Sequence, residues 1–192
     1  MQTTAPPSPI LGADLRSLRH ARGLTLQQLA GQLQRSVGWL SQVERDMSQL
    51  SVADLRRIAQ ALDVPVSLLF SQADAPRHET GYVVRRNARR PIGTRITGLM
   101  EELLSPDLTD DFEVVHSTFA PHSRLKKPTS RPTQELGFLV SGQLDITIAG
   151  HEFRILPGDS FRIRGEPFSW ANPTDVPAVA IWVIAPPVYG WP

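Results

Sequence analysis

The sequence predicts a multi-domain α + β protein, with short helices over residues 9–70 and an antiparallel β-domain over residues 81–192. Three observations predict it. Thr25 to Arg45 reads as two short helices joined by a tight turn. Beyond Gly81, short period-two segments follow one another, each closed by Pro, Gly, Asp or Asn. Between the two textures lies Ser71 to Thr80, SQADAPRHET, a polar stretch that reads as a linker. Residues 1–8 are polar and Pro-rich and are expected to form a disordered arm.

The helices carry their own end signals. Ser8-Pro9 suits a cap and first turn, and Leu11, Leu15 and Leu18 make an apolar stripe after it. Thr25 can cap the next helix, with Gln28 three residues on completing a capping box. Leu26, Leu29, Ala30 and Leu33 supply its buried face. Ser36 is the next N-cap, and Leu40 and Val43 are the buried positions behind it. Val37, Gly38, Trp39, Ser41, Gln42 and Arg45 fall on the opposite side. Ser51 to Asp54 is another cap signal, followed by Leu55, Ile58, Ala59 and Leu62 at helical period. Pro65 opens an expected last turn burying Val66, Leu69 and Phe70. Two short helices across a turn, the second with a hydrogen-bonding outer face, form the helix-turn-helix pattern. The competing reading is an ordinary helical hairpin, and the flanking helices weigh against it.

LRSLRHARGLTLQQLA, then SVGWLSQVER, then SVADLRRIAQALDVPVSLLF resembles the lambda-repressor-like (XRE) helix-turn-helix domain, without gaps from Leu11 to Phe70. The resemblance implies five helices and a DNA-binding function. It also implies that Arg19 and Glu44 form a structural ion pair. Asp46 stands where the family usually has Gly, and Leu50 where Pro is common; both fall in the loop after the recognition helix.

By the same resemblance, base readers come from the start and middle of the recognition helix, here Val37, Gly38 and Gln42. Val37 can meet a thymine methyl, and Gln42 can pair bidentately with adenine. Gly38 offers close approach. Trp39 and Ser41 lie on or near this face, where Trp39 either packs on the sugar-phosphate or covers the core. Gln27, Arg35, Ser36 and Arg45 are candidates for phosphate contacts that fix register, and Thr25 stands beside them.

The expected strands are Gly81–Arg86, Ile96–Leu104, Phe112–Phe119, Glu135–Val140, Leu144–Ala149, Glu152–Leu156, Ser160–Arg164, Phe168–Ala171 and Val179–Ile184. Many short strands at close spacing imply an antiparallel sandwich or barrel. Leu136–Val140 and Val179–Ile184 are apolar on both faces, so each is expected to be covered on two sides, one by another sheet or subunit.

ELGFLVSGQLDITIAGHEFRILPGDSFRIRGEPFSWANP is similar to the core of a cupin, a jelly-roll barrel. Glu135 with Gly142 matches the end of the first cupin motif; Gly158-Asp159, Pro167 and Asn172 match the second. Metal-bearing cupins place two His, a Glu and a later His inside the barrel, a set suited to a divalent metal. Here the motif spacing puts Thr129 and Arg131 at the first two His positions and Phe168 at the last. Only Glu135 remains, and a neighbouring Arg disfavours a cation, so neither metal nor other cofactor is expected. His116, His122 and His151 lie elsewhere in the region, and His116 can face either side of its strand.

Arg124, Lys126, Lys127 and Arg131 gather before the Glu135 strand. They form either a solvated basic loop or a mouth that captures a small anionic effector, with Arg124, Arg131, Glu135 and Phe168 as its candidate contacts. Alternatively Arg131 neutralises Glu135 and no ligand binds.

Composition excludes several classes. The 192 residues carry a formal net charge of only +1. Residues 1–72 hold seven Arg against five acids, and the remainder thirteen Lys and Arg against fourteen acids. A weakly basic reader still works if the charge lies at the contact face. There are no cysteines, so disulfides and thiolate metal sites are excluded. The first ten residues lack a basic start and an apolar core, and no apolar run reaches spanning length, so a cytoplasmic protein without a membrane partner is expected.

These readings converge on a sequence-specific transcriptional regulator that binds a palindromic double-stranded DNA operator as a homodimer, assembled through a metal-free cupin domain that is also open to ligand control. One alternative is a metal-dependent oxidative cupin enzyme carrying a helix-turn-helix domain. Another is a regulator whose barrel only dimerises.

Overall fold

The computed structural model describes residues 12–69, 78–79, 81–92, 96–106 and 108–189. The expected arm, Leu11, Phe70 and most of the expected linker lie outside these residues. By contacts the chain divides into two compact units, Met1–Pro91 with Pro106–Asp110, and Ile92–Ser105 with Asp111–Pro192.

Among the described residues, the first unit holds four α-helices: α1 (Gly12–Ala21), α2 (Leu26–Gln32), α3 (Val37–Val43) and α4 (Val52–Leu62). The expected fifth helix is a 3₁₀ turn, Val66–Leu69. It starts after Pro65, whose carbonyl accepts the Leu68 N–H, and it buries Leu68 and Leu69 while Val66 stays half-exposed. Leu15, Leu18, Leu29, Leu40, Ile58 and Leu62 are the fully buried side chains at the centre of this unit. Asp14 ties later chain to α1: its Oδ2 accepts Arg90 Nη2 at 2.7 Å and its Oδ1 accepts the Leu108 N–H at 3.0 Å, all within this unit. The expected strand at 81–86 is instead a turn and coil, because the Glu79 carbonyl accepts the N–H groups of both Tyr82 and Val83. A 3₁₀ turn over Arg86–Ala88 follows.

The second unit is β-rich. Its strands are β2 (Leu99–Leu103), β3 (Glu113–Phe119), β4 (Gln134–Ser141), β5 (Leu144–Ile148), β6 (His151–Ile155), β7 (Ser160–Ile163), β8 (Phe168–Ala171) and β9 (Ala178–Ala185), with a short β1 (Arg90–Ile92) at the division between units. They form two sheets, β1-β2-β3-β9-β4-β7 and β6-β5-β8, rather than one closed barrel. Pro128 and Pro132 lack the N–H that a continued ladder needs. The chain between β3 and β4 therefore joins the smaller sheet only through single bridges, Arg124 to Ala171 and Thr129 to Phe168. The sheets face each other across an aromatic core: Phe119 meets Trp170 edge-on at 4.6 Å, and Phe161 meets Trp182 edge-on at 5.0 Å. Gly137 is required on β4 because a Cβ there would strike the Phe161 ring at 2.2 Å.

Candidate nucleic-acid interface and the sandwich interior

The helix pair is built from caps. Thr25 Oγ1 accepts the Gln28 N–H at 3.1 Å while Gln28 Oε1 accepts the Thr25 N–H at 2.8 Å, so the capping box forms. Ser36 Oγ accepts the Trp39 N–H at 3.1 Å and starts α3. Leu40 and Val43 are buried, which turns Val37, Gly38 and Gln42 to solvent. A Cβ at Gly38 would meet only Ser36 Oγ, at 4.0 Å, so this first turn of α3 is open to close approach. Thr25, Gln27, Arg35, Ser36 and Arg45 are exposed as well, and Trp39 and Ser41 are half-buried.

Both arginines of this set have structural partners. Arg35 Nη2 donates to Asp54 Oδ1 at 2.8 Å, and its guanidinium lies 5.0 Å over the Trp39 ring. Hydrogen bonds from Ser51 and then Arg35 hold the Asp54 carboxyl below the ordinary carboxylate range. Arg35 therefore ties the turn before α3 to the cap of α4, and Trp39 packs beneath it. Arg45 Nε donates back to the Ser41 carbonyl at 3.1 Å.

The rear of α3 is pinned to α1. Arg19 Nε and Nη2 donate to Glu44 Oε1 and Oε2 at 2.7 and 2.9 Å, with both side chains nearly closed to solvent. Gly12 presses against the last turn of α3: a Cβ there would lie 2.5 Å from the Val43 carbonyl oxygen. Asp46, at the usual Gly position, has φ +58°, the left-handed conformation that favours Gly. Its Oδ1 accepts the Gly12 N–H at 2.6 Å, so the departure from the family pattern supplies a cap for α1.

In the second unit the structure brings Arg131, Glu135 and Phe168 together. Arg131 and Glu135 are buried and joined by two hydrogen bonds, and Thr133 Oγ1 donates to Glu135 Oε1 at 2.7 Å. The Arg131 guanidinium sits 6.0 Å from the Phe168 ring centre. Thr129 and Phe168 exchange backbone hydrogen bonds of 2.9 and 2.8 Å. A guanidinium clamped on the one carboxylate of the motif does not fit a cation, and no group of three or more His, Asp or Glu among the described residues has a metal-holding arrangement. Arg124, Lys126 and Lys127 are exposed, apart from buried Arg131. Arg124 borders an open depression of about 530 Å³ on the smaller sheet, with Asp145, Glu152 and Arg154 among its other charged lining. His116 faces outward, 3.9 Å from Glu102, and His122 meets Asp175 at the surface.

One buried group gave no sequence signal. Glu113, on β3, is 1% exposed and accepts the N–H groups of Val188 and Tyr189 at 3.2 and 3.0 Å. Burial pushes its pKa up to about 7 against the pull of those two hydrogen bonds. The tail it holds follows β9 by several residues, so only the tertiary fold reveals the pairing.

A helix-turn-helix domain family matches residues 10–69, and a cupin domain family matches residues 115–184. The chain is 22% identical over 165 residues to the HTH-type transcriptional regulator PuuR of Escherichia coli (strain K12), covering 84% of this chain and 86% of that protein. It is 38% identical over 64 residues to the HTH-type transcriptional regulator RamB of Mycobacterium tuberculosis (strain ATCC 25618 / H37Rv), covering 33% of this chain and 14% of that one. A solved HTH_3 family transcriptional regulator from Vibrio cholerae is 21% identical with a TM-score of 0.42, over 91% of this chain and 94% of that chain. Among the described residues, no helix is long and apolar enough to cross a membrane. The chain thus carries a helix-turn-helix domain followed by a cupin domain, and over most of its length it is similar to an HTH-type transcriptional regulator.

Proposed function

We propose that this regulator reads a palindromic operator as a homodimer, one recognition helix α3 per half-site. The observation that carries the reading is the division of α3: Leu40 and Val43 are buried, while Val37, Gly38 and Gln42 face solvent beside the exposed Ser36 and Arg45. Val37 and Gln42 supply base contacts, and Gly38 lets the backbone close on the groove. Thr25, Gln27, Ser36 and Arg45 supply phosphate contacts along the rim, with Ser41 at its edge. Arg35 and Trp39 hold the turn that presents these residues, and the exposed part of Arg35 adds charge toward the backbone. Single helix-turn-helix units make few contacts, so paired readers about one helical turn apart provide the affinity. DNA as the target places the protein in the cytoplasm.

The helical unit takes the lambda-repressor type, with its 3₁₀ turn in the place of a fifth helix, and the two facing sheets take the jelly-roll type. The β-unit acts as a non-catalytic assembly module. Support comes from Arg131, which is committed to Glu135 rather than presented to a small anionic effector. The test is selection from a genomic fragment pool with wild type and Gln42→Ala. Enrichment of a palindrome that weakens in the variant supports the reading. No enrichment at modest salt overturns it.

A further inference from the structure

The outward face of the larger sheet is apolar. Along β4, Glu135, Gly137 and Leu139 point into the sandwich, while Leu136, Phe138 and Val140 point out at 44–49% exposure. The register with β9 and β3 sets their neighbours in rows. Leu136 pairs with Val183, which pairs with Val114; Phe138 pairs with Ile181, which pairs with His116. Val183 is exposed, and Val114, Ile181 and Val179 are half-buried. An antiparallel sheet face that meets water alternates polar residues outward. A contiguous apolar patch on the central strands marks an interaction surface.

The two sides of this face, about β9, carry opposite charge. On β7, outward Arg162 stands beside Leu136; on β2, outward Glu102 stands beside His116. We propose that this face packs against the same face of a second copy, across a two-fold axis running along β9. The proposal rests on the homodimer reading above and names its interface. Such an axis lays β4 over the partner's β3 and β7 over the partner's β2. It brings Arg162 toward the partner's Glu102, one row of the sheet away, an offset of about 7 Å along the strand. A two-fold running across the strands instead stacks each side on itself, with arginine side on arginine side. The interface is isologous, so both charge pairs form at once.

The test is sedimentation equilibrium on the full chain, with thermal melts as a folding control. Phe138 is at the surface of the single chain, so Phe138→Glu is expected to stay folded, with a cooperative melt lowered only by the lost assembly. It should raise the dimer dissociation constant by about 30-fold or more, as for a central interface residue. Arg162→Glu and Glu102→Arg each weaken the dimer, and the double exchange restores it. If wild type dimerises and Phe138→Glu dimerises equally well, the proposed face is wrong and the dimer reading stands. If Phe138→Glu weakens the dimer but the double exchange fails to restore it, the axis along β9 is overturned. If wild type is monomeric at micromolar concentration and occupies single half-sites, both the face and the dimer reading fall.

Discussion

Arg131 holds Glu135 by two parallel hydrogen bonds, Nε to Oε1 at 3.0 Å and Nη2 to Oε2 at 2.7 Å, with side chains 7% and 1% exposed. A carboxylate that would serve a metal in a cupin of ordinary pattern is here satisfied by a guanidinium from the strand's own approach. Thr133 adds a third donor. The pair is a closed unit, and its two members depend on each other.

Breaking one side should therefore cost far more than removing both. Arg131→Ala leaves a buried carboxylate without its counter-charge, and a loss of about 3–5 kcal/mol is expected. Arg131→Met with Glu135→Leu removes both charges at similar volume and should recover most of that loss. Thermal or urea unfolding of the single and double variants checks it. Equal destabilisation of the two would show that the pair is not coupled.

On the DNA face, two substitutions should separate specificity from affinity. Gln42→Ala is expected to lose about 1–3 kcal/mol of discrimination at one base pair. Arg45→Ala should weaken binding to every sequence alike and lower the salt slope of log K by roughly one. Neither side chain packs in the core, so melting temperatures should hold. Fluorescence anisotropy on operator and scrambled duplexes, across salt, distinguishes the two patterns.

Much of this was legible in the sequence because its signals are local. Thr25, Ser36 and Ser51 cap the helices in which they were read, since a hydroxyl three residues ahead of a backbone N–H needs no tertiary help. Strand alternation placed β3 to β9 within a few residues. Motif spacing set Arg131 inside the sandwich beside Glu135, and the structure joins them. Contacts made across long sequence separations were not legible. The strand β1 and the Arg90–Asp14 pair carry no local mark, because Arg90 finds its partner 76 residues away. Sequence position makes Arg35 a candidate for a phosphate contact, whereas its ties to Asp54 and Trp39 come only from the fold. No strand forms at 81–86, although Val83 and Val84 have strand propensity, because Glu79 draws the backbone into a turn.

The loop after α3 offers a test of the family departure. Asp46 combines a left-handed backbone with a hydrogen bond to the Gly12 N–H. Asp46→Gly relieves the backbone and loses the bond, so the two effects largely offset. Asp46→Ala keeps the strained backbone and loses the bond, and a cost of about 1–2 kcal/mol is expected. Gly12→Ala should be worse still, since the added Cβ meets backbone atoms of Val43 and Glu44. Chemical denaturation of the three variants gives the order; Asp46→Ala as stable as Asp46→Gly would remove the role assigned to backbone strain.

Glu113 sets a pH dependence whose sign follows from its direction of shift. Its folded pKa is raised to about 7 by burial, above an ordinary value of 4.5. Between those values the folded chain binds the proton more tightly than the unfolded chain does. Stability from this group is thus greatest at low pH, falls as pH rises from about 4.5, and is fully lost above about 7. The span corresponds to a contribution on the order of 3 kcal/mol. Glu113→Gln stays neutral throughout but keeps an acceptor for only one of the Val188 and Tyr189 N–H groups, which bond to separate carboxyl oxygens, so it carries a loss that does not depend on pH. The variant should melt below wild type near pH 5 and gain on it as pH rises to 8. Melting curves at both pH values, read as the difference between variant and wild type, isolate this group from every other titration. An unchanged difference across that range would mean that Glu113 is ionised in the folded protein and that its two backbone hydrogen bonds outweigh its burial.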